Sequence, residues 1–180
     1  MQLFKNFQAD KIAIELYKAA SKGDPAAFAR LIALGNKGDT QAQFALGSMY
    51  YRGDGVPQDF DQAASWLRKS AEQGNDRAQS ALGTMYVKGR GVPKDSVQAA
   101  FWTRKSAEQG YADAQVFLAF MYAKGIGMPE DLIIAYIWLN LAAAQGNEDA
   151  KTAREALGRM MTPAQIAEAQ KLSREWKPKP

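Results

Sequence analysis

The sequence predicts an all-α fold, a right-handed α–α superhelix (solenoid) of two-helix repeats with capping helices at both ends. Three observations carry this reading. First, four residue types return in one register at a constant interval. They are Tyr50, Tyr86 and Tyr122; Pro57, Pro93 and Pro129; Asp59, Asp95 and Asp131; and Trp66, Trp102 and Trp138, every step being 36 residues. Second, the apolar residues between Gly/Pro punctuation recur at helical spacing. Third, the composition is that of a folded chain: of 180 residues, 47% are hydrophobic and 23% charged, enough for a core and too few charges for disorder. A period of this length marks stacked repeats, because one helix pair cannot cover its own apolar faces and its neighbours must.

Residues 1–38 are expected to form N-terminal capping helices, one over Ala9–Lys22 and a shorter one after Asp24-Pro25, an N-cap with proline at the first helical position. Three full repeats follow at 39–74, 75–110 and 111–146. In the first, Thr40–Arg52 places Ala42, Ala45, Leu46, Met49 and Tyr50 on one helical stripe. Gly53, Gly55 and Pro57 end that helix. The second helix runs from about Asp59 to Gln73, with Ala63, Trp66, Leu67, Ser70 and Ala71 on one face, and Gly74 stops it. Gly47 lies mid-helix, where glycine costs roughly 1 kcal/mol. Gly83 and Ala119 hold the same slot, so a neighbouring helix is expected to approach closely there. The Trp and Tyr side chains are expected to supply most of the buried area. Residues 147–180 read as C-terminal capping helices. Glu148 and Asp149 open one, and the capping box Thr162-Pro163-Ala164-Gln165 opens another that ends near Trp176 and covers the last seam. Lys177–Pro180 is expected to fray.

Leu46-Gly47, Tyr50, Gly53-Asp54-Gly55-Val56-Pro57, Asp59, Ala63, Trp66 and Ala71-Glu72-Gln73-Gly74 together resemble the Sel1-like repeat, a branch of the tetratricopeptide-type helical repeats. The resemblance spans residues 24–146. The stretch from Trp138 through Ile166 resembles the usual C-terminal ending of bacterial members. The resemblance implies an adaptor or scaffold for protein complexes, usually without chemistry of its own. A cysteine-rich branch of that family carries a disulfide in each repeat and is linked to β-lactams; a chain without Cys falls outside it.

The residue inventory narrows the chemistry independently. With no Cys and no His, disulfides, Cys/His zinc sites, thiol nucleophiles and imidazole bases are absent. Gly53-Asp-Gly55, Gly89-Arg-Gly91 and Gly125-Ile-Gly127 lack the strand and third glycine of a dinucleotide fingerprint and the Gly-Lys-Ser/Thr of a P-loop, so they read as structural turns. Asp59, Asp95 and Asp131 read as helix caps rather than an acid–base pair. Ser80 and Ser96 have no imidazole partner. The three tryptophans read as core, not as a base-stacking ladder. No catalytic residue, metal site or cofactor is assigned, and the chain is expected not to be an enzyme.

Comparing the three first helices separates scaffold from variable slots. The variable ones are Gln41/Arg77/Asp113, Phe44/Ser80/Val116, Ser48/Thr84/Phe120 and Tyr51/Val87/Ala123, and their spacing puts all four on one face. The family resemblance implies that this face lines a concave groove. Phe44, Tyr51, Val116 and Phe120 are then expected as exposed anchors beside Arg52, Lys88 and Lys124. Helix-end electrostatics also accounts for those three cations, and packing against neighbouring helices is the alternative for Val116 and Phe120. The expected partner is a protein or peptide. The net charge of +4 and pI near 9.2 bring nucleic acid into consideration. The excess is small and lies partly at Lys171, Arg174, Lys177 and Lys179, so a nucleic-acid-associated adaptor is the lesser reading; a small-molecule-binding protein or hydrolase stands below it. An uncovered end could pair with a second copy. The first ten residues hold no continuous apolar stretch, and the longest apolar run, Leu132–Ala144, is too short to span a bilayer. The expected location is cytoplasmic, or periplasmic or secreted if a signal peptide has been removed.

Overall fold

Ten helices and no strand occur among residues 2–177, which the computed structural model of the chain describes. They are α1 (Gln2–Ala20), α2 (Pro25–Asn36), α3 (Thr40–Arg52), α4 (Phe60–Glu72), α5 (Asp76–Lys88), α6 (Ser96–Glu108), α7 (Ala112–Lys124), α8 (Leu132–Ala144), α9 (Glu148–Gly158) and α10 (Pro163–Glu175). The all-α, two-helix-repeat reading holds. The first helix departs from expectation: it starts at Gln2 and ends at Ala20 rather than running Ala9–Lys22. Of the tail expected to fray, residues 178–180 lie outside the described residues.

The chain divides into two compact units, residues 1–94 and 95–180, with the boundary between the two helices of the second repeat. In the first unit α1 packs on α2 and α3, α2 on α3, α3 on α4, and α4 on α5. Its core gathers Ala13, Leu16, Ala20, Leu31, Ala42, Leu46 and Met49. In the second unit α6 packs on α7, α7 on α8, and α8 on both α9 and α10. There the core is Leu118, Ala119, Tyr136, Trp138, Leu139, Leu157, Met161 and Ala169.

The start and stop signals act locally as their chemistry requires. Asp59 accepts from the backbone N–H of Asp61 and Gln62 at 3.0 and 2.9 Å, and Asp95 accepts from Val97 and Gln98 at 2.9 and 3.0 Å. Asp131 accepts from Ile134 at 2.9 Å. Each satisfies N–H groups that have no partner within the helix. Asp24 caps α2 ahead of Pro25, and Thr162 and Gln165 form the reciprocal box at α10. The first helices of the first two repeats are capped by Asp39 and Asn75 and helix α9 by Asn147, whose side chains accept from Ala42, Ala78 and Ala150. Tyr111 fills that place in the third repeat, where its side chain does not cap the helix N–H groups.

Burial of the large side chains is graded. Leu and Met, not Trp and Tyr, are the large side chains buried most completely: Leu46, Met49, Leu67, Leu82, Met85, Leu118 and Met121 are all below 2% exposed. Tyr50, Tyr86 and Tyr122 are half-buried, because a phenol needs its hydroxyl where a polar partner can reach it. Arg68 Nη2 donates to the Tyr86 hydroxyl at 2.9 Å and Arg104 Nη2 to Tyr122 at 2.8 Å. Trp102 and Trp138 are buried, whereas Trp66 is half-buried with the Lys69 ammonium 4.4 Å from its ring centre. The close approach at Gly47 is present: a Cβ there would stand 2.6 Å from Leu67 Cγ. Ala119 in the third repeat is buried beside the same core as Leu139.

Candidate functional site

On the first unit's first-helix faces, Gln41, Phe44, Ser48 and Tyr51 of α3 are half-buried and Arg52 is exposed. On α5, Ser80, Thr84 and Val87 are half-buried and Arg77 and Lys88 exposed. Thr84 Oγ1 donates to the Ser80 carbonyl at 3.2 Å, an ordinary way for a helical threonine to satisfy itself. Tyr51 is not the open anchor expected. Its ring meets Phe60 edge-on at 5.4 Å, its hydroxyl accepts from Arg90 Nη1 at 3.3 Å, and the Arg90 guanidinium lies 5.2 Å over Phe60. That cluster ties the end of α3 to the start of α4 and to the loop after α5.

In the second unit, Phe120 of α7 is 49% exposed and stacks parallel to Phe117 at 6.5 Å. Lys124 is exposed. Val116 is half-buried against the core rather than exposed, and Ala123 packs there too. Asp113 is engaged locally, accepting from the Tyr111 hydroxyl at 3.0 Å and from Asn147 Nδ2 at 3.2 Å. Of the four expected apolar anchors, then, Phe120 is exposed, Phe44 is half-buried, and Tyr51 and Val116 are occupied by the fold.

The second glycine of each Gly-x-Gly loop abuts an earlier helix end. A Cβ on Gly91 would overlap the Phe60 carbonyl at the start of α4, and one on Gly127 the Ser96 carbonyl at the start of α6. At Gly55 the overlap is with the Ala20 carbonyl, the last residue of α1. Backbone packs directly on backbone at these points, which only glycine permits.

A buried polar ladder was missed from the sequence. Gln43, Gln79 and Gln115 are at most 4% exposed. Their side-chain amides donate to the carbonyls of Gly35, Ala71 and Ala107 at 2.9, 3.0 and 3.2 Å. Those carbonyls lie in the last turns of α2, α4 and α6, where helical acceptors lack intrahelical partners. Gln73 and Gln145 donate in turn to Gln43 and Gln115 at 2.7 and 2.8 Å. The signal was the 36-residue recurrence of Gln43, Gln79 and Gln115, on a stripe otherwise read as apolar.

The second helices carry a further feature that a comparison of first helices alone does not reveal. Each of α4 and α6 has a shallow depression along one exposed side, with the next loop glycine in its lining. The one on α4 is about 290 Å³ and lined by Asp61, Ser65, Arg68, Lys69, Glu72 and Gly91. The one on α6 is about 430 Å³ and lined at the same slots by Val97, Phe101, Arg104, Lys105, Glu108 and Gly127. Among the described residues no group of three or more acidic side chains could hold a metal ion, and no helix is long and apolar enough to cross a membrane.

Comparison with known proteins agrees with this geometry. The Sel1 repeat family matches residues 40–75, 76–111 and 112–147, one residue later than the boundaries read from the sequence. The crystal structure of a protective antigen present in uropathogenic Escherichia coli strains, displaying an SLR fold, is similar with a TM-score of 0.82 and 32% identity. That match covers 91% of this chain and 37% of the antigen, so the chain spans little more than a third of that protein's length. A Sel1 repeat protein from Oxalobacter formigenes is similar with a TM-score of 0.65 and 44% identity, over 71% of this chain and 96% of that one. No curated protein matches the sequence.

Proposed function

Because the chain belongs to the Sel1 repeat family, whose members generally mediate protein–protein interaction, we propose that it is a non-catalytic adaptor. In this reading it captures a protein or peptide partner on its first-helix faces, through α3 and α5 in the first unit and α7 in the second. The observation that carries it is the contrast within each first helix. Ala42/Ala78/Ala114, Leu46/Leu82/Leu118 and Met49/Met85/Met121 are identical and fully buried. The slots beside them differ in every repeat and include an aromatic ring, Phe120, left half exposed. Packing requires no such ring on the surface, whereas an interface uses it as an anchor and the neighbouring cations as a rim. Phe44 and Phe120 are the anchors, and Arg52, Lys88 and Lys124 meet acidic groups of the partner.

Affinity capture from the native host, repeated with variants, tests this. Phe44→Ala and Phe120→Ala should each weaken capture about tenfold, equivalent to about 1.4 kcal/mol, with the melting temperature nearly unchanged. Lys88→Glu should weaken capture and flatten its loss with salt, because one attraction that salt screens has been removed. Retained capture together with a large loss of stability would refute the proposal, because these rings would then belong to the core.

A further inference from the structure

We propose that one exposed side of α6 is a second docking site, and that its occupant is an acidic linear peptide that seats one large apolar side chain. The argument begins with three second helices that share one register. At the two slots in question α4 has Asp61 and Ser65, both exposed. Helix α8 has Ile133 and Ile137, both half-buried and packed on the second unit's core. The chain therefore places polar residues where this side faces solvent and apolar residues where it is covered. Helix α6 breaks the pattern, because its residues are apolar yet Val97 is 65% and Phe101 46% exposed. They lie one turn apart on one side of the helix and line a concavity of about 430 Å³, which has room for a bulky side chain. Nothing in the repeat register requires them, since α4 folds in the same family geometry without them.

The chemistry of the occupant follows from the next turn. Arg104 and Lys105 line the same depression. Arg104 donates to the Tyr122 hydroxyl, and the Lys105 ammonium lies 4.9 Å from the Phe101 ring centre and 5.6 Å from that of Trp102. Among the described residues neither cation is paired with a carboxylate. Glu108, the single acid of the lining, stands a further turn along. The site thus presents an apolar end, two cations next to it and an acid beyond. Phe101 and Lys105 are separated by one helical turn, about 6 Å, which an extended peptide covers in about two residues. The preferred ligand therefore carries Phe, Leu or Ile with Asp or Glu one or two positions away. Electrostatic complementarity selects against a basic ligand at the same place.

The test is a selection of displayed random dodecapeptides on the full-length chain, followed by affinity measurement with the enriched peptides. Enriched sequences should pair a large apolar residue with Asp or Glu at that spacing. The double variant Val97→Asp, Phe101→Ser installs the residues that α4 carries at these slots, and should lower affinity at least tenfold while the melting temperature stays within a degree or two. Val97→Asp alone should lower it with Phe101 still packed on Trp102. Lys105→Glu should reverse the preference toward basic peptides. Phe120→Ala, which probes the first-helix face, should leave these peptides bound, so the two proposals fail separately. Absence of enrichment, enrichment without acidic residues, or binding indifferent to Val97→Asp would overturn the proposal. So would self-association abolished by Val97→Asp, which would make a second copy the occupant, or displacement of the peptides by oleate, which would make the site one for lipids.

Discussion

Replacing Gly91 by alanine isolates the contact that joins a loop to the preceding repeat. Gly91 has φ +65°, and a Cβ there would overlap the carbonyl oxygen and carbon of Phe60 and stand 3.0 Å from the Asp61 nitrogen. Carbon atoms in comfortable contact lie about 3.5–4.0 Å apart, so loop and helix would have to separate by more than an ångström. The helix start cannot give easily, being pinned by the Asp59 cap. Left-handed backbone costs alanine about 1–2 kcal/mol, and forcing added bulk into a packed contact typically adds about 1–3. Gly91→Ala should therefore cost about 2–5 kcal/mol. Gly74 supplies the control, with φ +93° and nothing within 4 Å of its added Cβ; Gly74→Ala should lose only the conformational part, about 1–2 kcal/mol. Urea unfolding followed by far-ultraviolet circular dichroism measures both. A loss at Gly91 no larger than that at Gly74 would refute the packing argument and leave backbone conformation as the whole effect.

Three more outcomes are expected. Thr103 is fully buried at the slot where the first and third repeats have Leu67 and Leu139, and its hydroxyl has no hydrogen-bond partner among the described residues. Thr103→Val should therefore stabilise the chain by about 1–3 kcal/mol, read as a rise in urea midpoint at unchanged slope. Gln115→Leu removes two hydrogen bonds at a fully buried slot, one to the Ala107 carbonyl and one from the Gln145 amide, each worth about 0.5–1.5 kcal/mol, and should destabilise by about 1–3 kcal/mol; a neutral result would mean that water or a rotated Gln145 replaces the bonds. The Tyr17 phenol is pushed above its ordinary range by burial and then by the hydrogen bond it donates to Asp54 Oδ2 at 2.8 Å. The stability linked to that shift is fully present below the unfolded tyrosine pKa, about 10, and is lost as pH rises from there through the folded value. Tyr17→Phe should flatten that alkaline limb of a stability–pH profile and leave the neutral-to-acid limb in place.

Much of the scaffold was legible because its signals are local and repeated. Proline, aspartate and glycine at helix ends declare their roles through backbone chemistry that needs no partner, and the three copies confirm one another. The candidate faces were less legible, because exposure is decided by what arrives from elsewhere in the chain. Tyr51 looked free on its own helix, yet Phe60 and Arg90 come to it from the next helix and the following loop. Val116 looked like an anchor and became core. The glutamine ladder escaped notice because a polar residue on an apolar stripe signals nothing until the carbonyl it serves, eight residues earlier, is seen within reach. The pair Val97 and Phe101 escaped because only the first helices were compared slot by slot.

The two kinds of corner in this chain differ in how they accept added length. After Gly38, Gly74, Gly110 and Gly146 the backbone turns through open space, so a tag or spacer spliced in there has somewhere to go. The Gly-x-Gly corners have backbone from an earlier helix pressed against them, so even one extra residue would dislodge that abutment. Natural length variation in such chains should therefore fall between whole modules, leaving the number of residues inside each module unchanged.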